Sequence, residues 1–280
     1  MTTLVLDFDG TMTDAEAEGR PFRDGYLDDL CALVGRSAGD ADVIEIAETV
    51  EAELAAAPAS YPFLWMGRAV APATVDPYLR MVPIAHRILD RFGAIPGEQD
   101  RGRLLGNVLY KYNYQKTLGH PVFREHAAEA LAQLSGKDVW IVTNSDTHAV
   151  AGKVAALAKT SGADIAWLTS RVRGYARKFD VDDAWPGAPA ELHVPGLERP
   201  VLLRRARYAE ILAEIAPDAT DLVVVGDIFE LDLALPLALG ARVGLVAGPR
   251  TPPYERAFVE QHPRGRLIHD LAEIPAFAFG

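Results

Sequence analysis

Apolar residues fall in two rhythms along this chain, and the change of rhythm divides it. Leu4-Val5-Leu6 is a short unbroken apolar run near the N-terminus, bounded by turn residues, which predicts a buried strand. From about residue 15 to 135 the apolar positions recur at helical spacing instead. They predict helices over 22–34, 43–57, 75–92, 101–117 and 122–134, and no strand. In the second, Val43, Ile44, Ala47, Val50 and Leu54 form one stripe, ended by Pro58 and Pro62. Pro83 lies inside the third and predicts a kink or a boundary there. From Asp138 the rhythm alternates. Strands are predicted at 139–142, 165–169, 222–225 and 242–246, with helices at 148–160 and 231–239 between them. The stretch 171–200, broken by Gly174, Pro186, Gly187, Pro189, Pro195 and Gly196, predicts a hairpin plus loop.

Alternation of this kind predicts an α/β fold with a parallel sheet and crossover helices. The first strand belongs to that sheet, so residues 1–14 and 136–280 form an α/β core domain and 15–135 an inserted all-α domain. At 280 residues the chain accommodates one large domain or two modest ones. Composition changes this picture little, with 49% apolar residues and 24% charged. Charge narrows it more. A formal net charge of −11 disfavours nucleic acid and anionic lipid as partners. Arg204-Arg205 with Arg207 is the densest basic patch and is too short for a nucleic-acid arm. The single cysteine, Cys31, cannot form an intrachain disulfide. With no basic leader region and no membrane-length apolar run, a cytoplasmic location is expected. Composition says nothing of oligomeric state.

The polar residues at the predicted strand ends carry the chemistry. The first strand ends in Asp7 and Asp9, the second in Thr143 and Asn144, a later one in Gly226-Asp227 with Asp232 five residues on. In a parallel sheet these ends share one edge, where such folds bind ligands. Two carboxylates as close as Asp7 and Asp9 repel each other, and burial worsens it, so the arrangement calls for a cation or a shared proton. A solvated Asp-rich turn is the alternative. Several oxygen ligands on one edge suit Mg²⁺. A hydroxyl and an amide nearby can donate to phosphate. One aspartate can act as nucleophile and a second can move a proton.

Asp7-Phe8-Asp9-Gly10-Thr11 with Thr13, Val142-Thr143-Asn144, and Gly226-Asp227 followed by Asp232 resemble motifs one, two and four of the haloacid dehalogenase superfamily, in order and in strand context. The resemblance implies a Rossmann-like core and a hydrolase. Asp7 would be the nucleophile that forms an aspartyl-phosphate. Asp9 would be general acid and then base, with its backbone carbonyl on Mg²⁺. Thr143 and Asn144 would bind the phosphoryl group. Asp227 would complete a metal site made with Asp7 and Asp9, and Gly10, Thr11 and Asp232 would support it. Dehalogenases of the superfamily lack an acid at the Asp9 position and the ATP-driven pumps carry threonine there, so Asp9 resembles the phosphatases and phosphomutases. The helical insertion occupies the position of the C1 cap, which implies a small soluble phosphorylated substrate.

The superfamily's third motif, a lysine, is not at its usual place before the last motif. Arg204 or Arg205, or else Lys178, are the candidates for phosphate binding in its stead; Lys153 and Lys159, on the helix after the second motif, fit less well. A Mg²⁺-dependent phosphatase is the first expectation. A phosphomutase, another hydrolase of the superfamily, or a non-catalytic phosphate-binding protein are the alternatives. His86, His120 and His126, placed in the helical domain, show no metal-ligand spacing. Tyr61 to Met66 is expected in that domain's core, with a substrate pocket as the alternative. Tyr110, Tyr112 and Tyr114 are not expected to share a helix face.

Overall fold

In the computed structural model, which describes residues 1–117 and 121–280, the apolar runs pair as strands. Numbered along the chain these are β1 (Thr3–Leu6), β2 (Pro62–Trp65), β3 (Arg68–Pro72), β4 (Val139–Val142), β5 (Val172–Arg173), β6 (Glu191–Leu192), β7 (Val201–Leu202), β8 (Leu222–Gly226), β9 (Arg242–Val246) and β10 (Gly265–Ile268). Six of them form a parallel sheet in the order β10-β9-β8-β1-β4-β5. β1 is central: Leu4 and Leu6 register with Val139 and Ile141 on one side and with Val223 and Val225 on the other. These side chains are buried, as expected of strands covered on both faces.

The chain divides into two units. One comprises Met1–Asp14, Pro62–Pro72 and Phe123–Gly280; the other comprises Ala15–Tyr61 and Ala73–Val122. The insertion expected over 15–135 is thus interrupted. β2 and β3 pair antiparallel as a hairpin within an otherwise helical stretch, and they belong to the α/β unit. Arg205 Nη2 donates to the Val70 carbonyl, and the Phe63 and Trp65 rings lie 5.7 and 5.8 Å from that of Phe179. The expectation that Tyr61 to Met66 is core of the helical domain is therefore corrected for residues 62–66, while Tyr61 stays with the helical unit. Leu64 and Met66, at the hairpin's tip, are 59% and 87% exposed. At the far end of the insertion, Ala127, Ala130 and Leu131 pack into the sheet's core.

The helical unit holds α1 (Ala15–Leu33), α2 (Ala41–Ala56) and α3 (Pro77–Arg91). A further helical stretch follows, made of α4 (Glu98–Gly102), a π-helical run Arg103–Tyr110, α5 (Lys111–Tyr114) and a 3₁₀ turn Gln115–Thr117. Asp40 caps α2 by accepting from Asp42 N and Val43 N. α3 continues through Pro83 without a boundary. Its apolar face of Ile84, Ala85, Ile88 and Leu89 is fully buried, and that burial outweighs one lost backbone donor. Tyr110 and Tyr114, four residues apart, do share a face. Their rings stack at 6.0 Å, and Phe22 and Tyr78 pack on Tyr110. His120 lies outside the described residues.

In the α/β unit, α6 (Ala127–Gln133), α7 (Thr147–Ser161), α8 (Ala206–Ile215), α9 (Ala234–Leu239), α10 (Pro253–Gln261) and α11 (Ile274–Phe279) accompany the strands. The strand expected at 165–169 is a 3₁₀ helix, Ala166–Arg171. Thr169 and Ser170 hydroxyls donate back to the Ala166 and Trp167 carbonyls, a local alternative to strand pairing. The strand proper begins at Val172. The stretch 171–200 contributes β5 to the sheet's edge and β6 to a separate antiparallel pair with β7. His126 is in this unit, bonded to Asp270 at 2.9 Å. No helix among the described residues is long and apolar enough to cross a membrane.

Candidate active site

β1 delivers the first acid. Asp7 N still bonds the Val225 carbonyl at 2.8 Å, so its carboxyl stands at the end of the sheet ladder. The chain then turns: Met12 N bonds Phe8 O, and Gly10 N bonds Thr13 Oγ1. Gly10 has φ +87°, and a Cβ on it would lie 2.3 Å from Asp227 Oδ2, so the turn tolerates no side chain there. Thr11, fully buried, directs its hydroxyl at Asp7 Oδ2 (2.9 Å) and Asp227 Oδ1 (3.1 Å). One hydroxyl proton cannot satisfy both carboxylates.

Asp7, Asp227 and Asp232 each offer a carboxylate oxygen, all within 4.8 Å of one another. Lys178 lies among them. Its Nζ is 2.7 Å from Asp7 Oδ1 and 2.8 Å from Asp232 Oδ1, and the side chain is 1% exposed. Asp232 spends its other oxygen on Ile228 N, and Tyr208, whose ring faces Lys178, donates to the Asp232 carbonyl. Burial pushes the Asp7 carboxyl up to about 7, although Lys178 pulls it down and Asp232 adds to the rise. Burial disfavours the Lys178 charge, but Asp232 and Asp7 more than offset that, and the ammonium is held protonated. Three carboxyl groups share one ammonium, an excess of acidic oxygen ligands over cations that fits a divalent cation.

Lys178 reaches this position through the loop that carries it. Gly174 N bonds Thr147 Oγ1, Tyr175 N bonds Ser145 O, Ala176 N bonds Thr143 O, and Lys178 N bonds Asn144 Oδ1. A Cβ on Gly174 would meet Ser145 O at 2.5 Å, so only glycine lets the two loops approach. Tyr175 and Arg177 both adopt left-handed φ (53° and 50°), a strain of the kind found at functional sites. The Asn144 side chain thus holds the lysine loop.

Thr143 lies at the end of β4 with its hydroxyl 3.3 Å from Asp9 Oδ2. Two further residues hold Asp9: Ser145, not singled out from the sequence, and Lys153, ranked there below Lys178 and the arginines. Ser145 Oγ donates to Oδ2 at 2.6 Å, and Lys153 Nζ, on α7, to Oδ1 at 3.0 Å. Ser145 was legible as the hydroxyl after Thr143-Asn144. Lys153 was legible as the lysine one turn after Ala149, whose backbone N bonds the α7 cap Asp146. Arg204 and Arg205 are elsewhere. Arg204 bonds the carbonyls of Ala188 and Asp183, and Arg205, fully buried, those of Leu202 and Val70. They brace the β6–β7 pair and the hairpin, which corrects the expectation that they bind phosphate. Among the three candidates, Lys178 alone meets the acids.

No family model and no curated protein matches the sequence. Solved structures do match. A haloacid dehalogenase-like hydrolase from Streptococcus pneumoniae is 14% identical over 99% of this chain and 98% of its own, with a TM-score of 0.54. YfnB from Bacillus subtilis, assigned to the same hydrolases and solved with magnesium bound, is 15% identical over 99% and 98%, with a TM-score of 0.53. A haloacid dehalogenase-like hydrolase from Xanthomonas campestris is 17% identical over 99% and 93%, with a TM-score of 0.52.

Proposed function

From the haloacid dehalogenase-like fold of this chain we propose that it is a Mg²⁺-dependent phosphohydrolase acting on a small phosphate ester through an aspartyl-phosphate. The observation that carries this reading is Lys178, buried between Asp7 and Asp232. It supplies the cation that the sequence motifs lacked, at the carboxylate the reaction needs. Asp7 attacks phosphorus, and the bond from phosphorus to the ester oxygen breaks as Asp9 gives that oxygen its proton. Water then attacks the phosphorus, Asp9 takes the water's proton, and inorganic phosphate leaves the regenerated Asp7 carboxylate. Thr143 and the Asn144 amide bind phosphoryl oxygens. In-line transfer of this kind depends on positioning and charge neutralisation.

Asp7, Asp227 and the Asp9 carbonyl would hold Mg²⁺, with Asp232 and Thr11 in support. When bound, the ion neutralises charge on the phosphoryl oxygens and favours the ionised form of Asp7. The site's donor set supports this: burial and the Asp232 charge, against the pull of Lys178, hold the Asp7 carboxyl up at about 7, and a cation beside it would favour the carboxylate that attacks. Asp9 supports an ester over a halide, which needs no proton to leave.

The test is inorganic phosphate release from a panel of small phosphate esters, with Mg²⁺ and with EDTA, for the wild type and Asp7→Asn. Release that requires metal and falls to background in the variant is expected. Mg²⁺ binding without turnover of any ester would leave a phosphate-binding protein instead.

A further inference from the structure

Lys178 serves Asp7 and Asp232, which leaves a second lysine at this sheet edge without a part in the scheme above. We propose that Lys153, together with Ser145, is a positioning residue that fixes the Asp9 carboxylate for proton delivery to the leaving group. The inference rests on the phosphohydrolase reading and assigns it a further device.

Asp9 is more open than its neighbours, with 36% of its side chain exposed, and it stands on a turn. Among the described residues no backbone N–H bonds its carboxylate. Side chains do. Oδ1 takes one bond from Lys153, and Oδ2 takes bonds from Ser145 and Thr143. Both oxygens are held from different elements, so rotation about the Cβ–Cγ bond breaks contacts on both sides.

Lys153 is itself fixed. It lies on α7 between Val150, Val154 and Leu157, all buried, and the helix is capped by Asp146 at its start and closed by Gly162 in the left-handed region at its end. Its side chain is only 18% exposed, and its ammonium stands 5.8 Å from the centre of the fully buried Phe8 ring. An ordinary surface ion pair contributes little because both partners keep their water and their freedom. This lysine has given up much of both. An ammonium is a donor only, so the oxygen facing Lys153 is not the one that carries the transferable proton. Ser145 and Thr143, which can accept as well as donate, face the other. The contacts therefore set which oxygen delivers the proton as well as where it stands. A proton donor must stand within hydrogen-bond reach of the atom it protonates, and a misplacement of about 1 Å can cost on the order of 10²-fold in rate.

Two esters that differ only in their need for that proton separate positioning from general damage. p-Nitrophenolate leaves readily unprotonated; an alkoxide does not. The measurement is kcat/KM for p-nitrophenyl phosphate and for an alkyl phosphate drawn from the panel. It is made on the wild type, Lys153→Met, Ser145→Ala and, as the reference for full loss of the acid, Asp9→Asn. kcat/KM reports steps up to departure of the leaving group. Lys153→Met is expected to slow the alkyl ester about 30- to 100-fold, up to the lower end of the roughly 10²–10⁴-fold that a general acid contributes, and the p-nitrophenyl ester less than about 5-fold. Ser145→Ala is expected to show the same selectivity, and Asp9→Asn a larger version of it. Equal losses on both esters in the two positioning variants, or no loss on either, would overturn the inference while the wild type's activity left the phosphohydrolase reading standing. A wild type inactive on both esters would remove that reading and the inference with it.

Discussion

Lys178 concentrates the site's energetics in one side chain. It is buried between two carboxylates, and burial of a charge is tolerated only where partners replace the lost water. Removing one member of such a group leaves the others unpaired, at a cost of about 3–5 kcal/mol. Lys178→Met is therefore expected to lower stability by that amount in urea unfolding and to abolish phosphate release. Unchanged stability would mean that Asp7 and Asp232 find other partners. The same residue shows where sequence reading stopped. Its neighbours Gly174 to Phe179 have no periodicity, and two of them take left-handed φ, which no local preference of Tyr175 or Arg177 announces. Arg204 and Arg205 were equally eligible by charge, and only the fold separates the three.

At the scale of elements, the clearest lesson is in α3. Asp76 caps it, accepting from Tyr78 N and Leu79 N. Burial pushes this carboxyl up to about 6 from its ordinary 3.8, against the opposing pull of those amides and Arg80. A raised carboxyl binds its proton in the folded protein at a pH where the unfolded chain has lost it. Stability from this group is thus greatest below pH 4 and falls as pH rises from about 4 to about 6. Asp76→Asn keeps an amide-accepting cap and removes the titration. Its melting temperature is expected to fall less than the wild type's across that window; parallel curves would refute the assignment. The hairpin β2–β3 makes a different point. Pro62-Phe63-Leu64-Trp65 is an unbroken apolar run set among helical segments, and such a run alone does not separate a strand from a buried helical stretch. What makes it a strand is its setting: Trp65 Nε1 bonds Asp180, and Phe63 packs on Phe179, next to Lys178 in the chain.

For the molecule as a whole, the α/β unit is assembled from three separate stretches of chain. The parallel sheet gathers residues 7–11, 143–145, 178 and 227–232 at one edge, where their charges must be balanced together. A cation that binds only the folded unit stabilises it by mass action, by about 2.7 kcal/mol at one hundred times its dissociation constant. Mg²⁺ is therefore expected to raise the temperature of the α/β unit's unfolding transition, and Asp227→Asn to remove most of the shift. An identical shift in that variant would place the ion elsewhere.

The sequence by itself determined β1, β4, β8 and β9, their alternation with helices, and the acids at the ends of β1 and β8. These are chain-local properties: Leu4 to Leu6 must be buried, and Asp7 and Asp9 follow two residues apart whatever the rest of the chain does. The tertiary structure alone decided which cation meets Asp7, which side chains hold Asp9, and that residues 62–72 leave the helical segment for the α/β unit. Each of those depends on contacts across tens to hundreds of residues. Asn144 must accept from Lys178 N, and Lys153 must extend from α7 to a turn 144 residues earlier. No local pattern encodes such a meeting, because its free energy exists only once the sheet has brought both ends together.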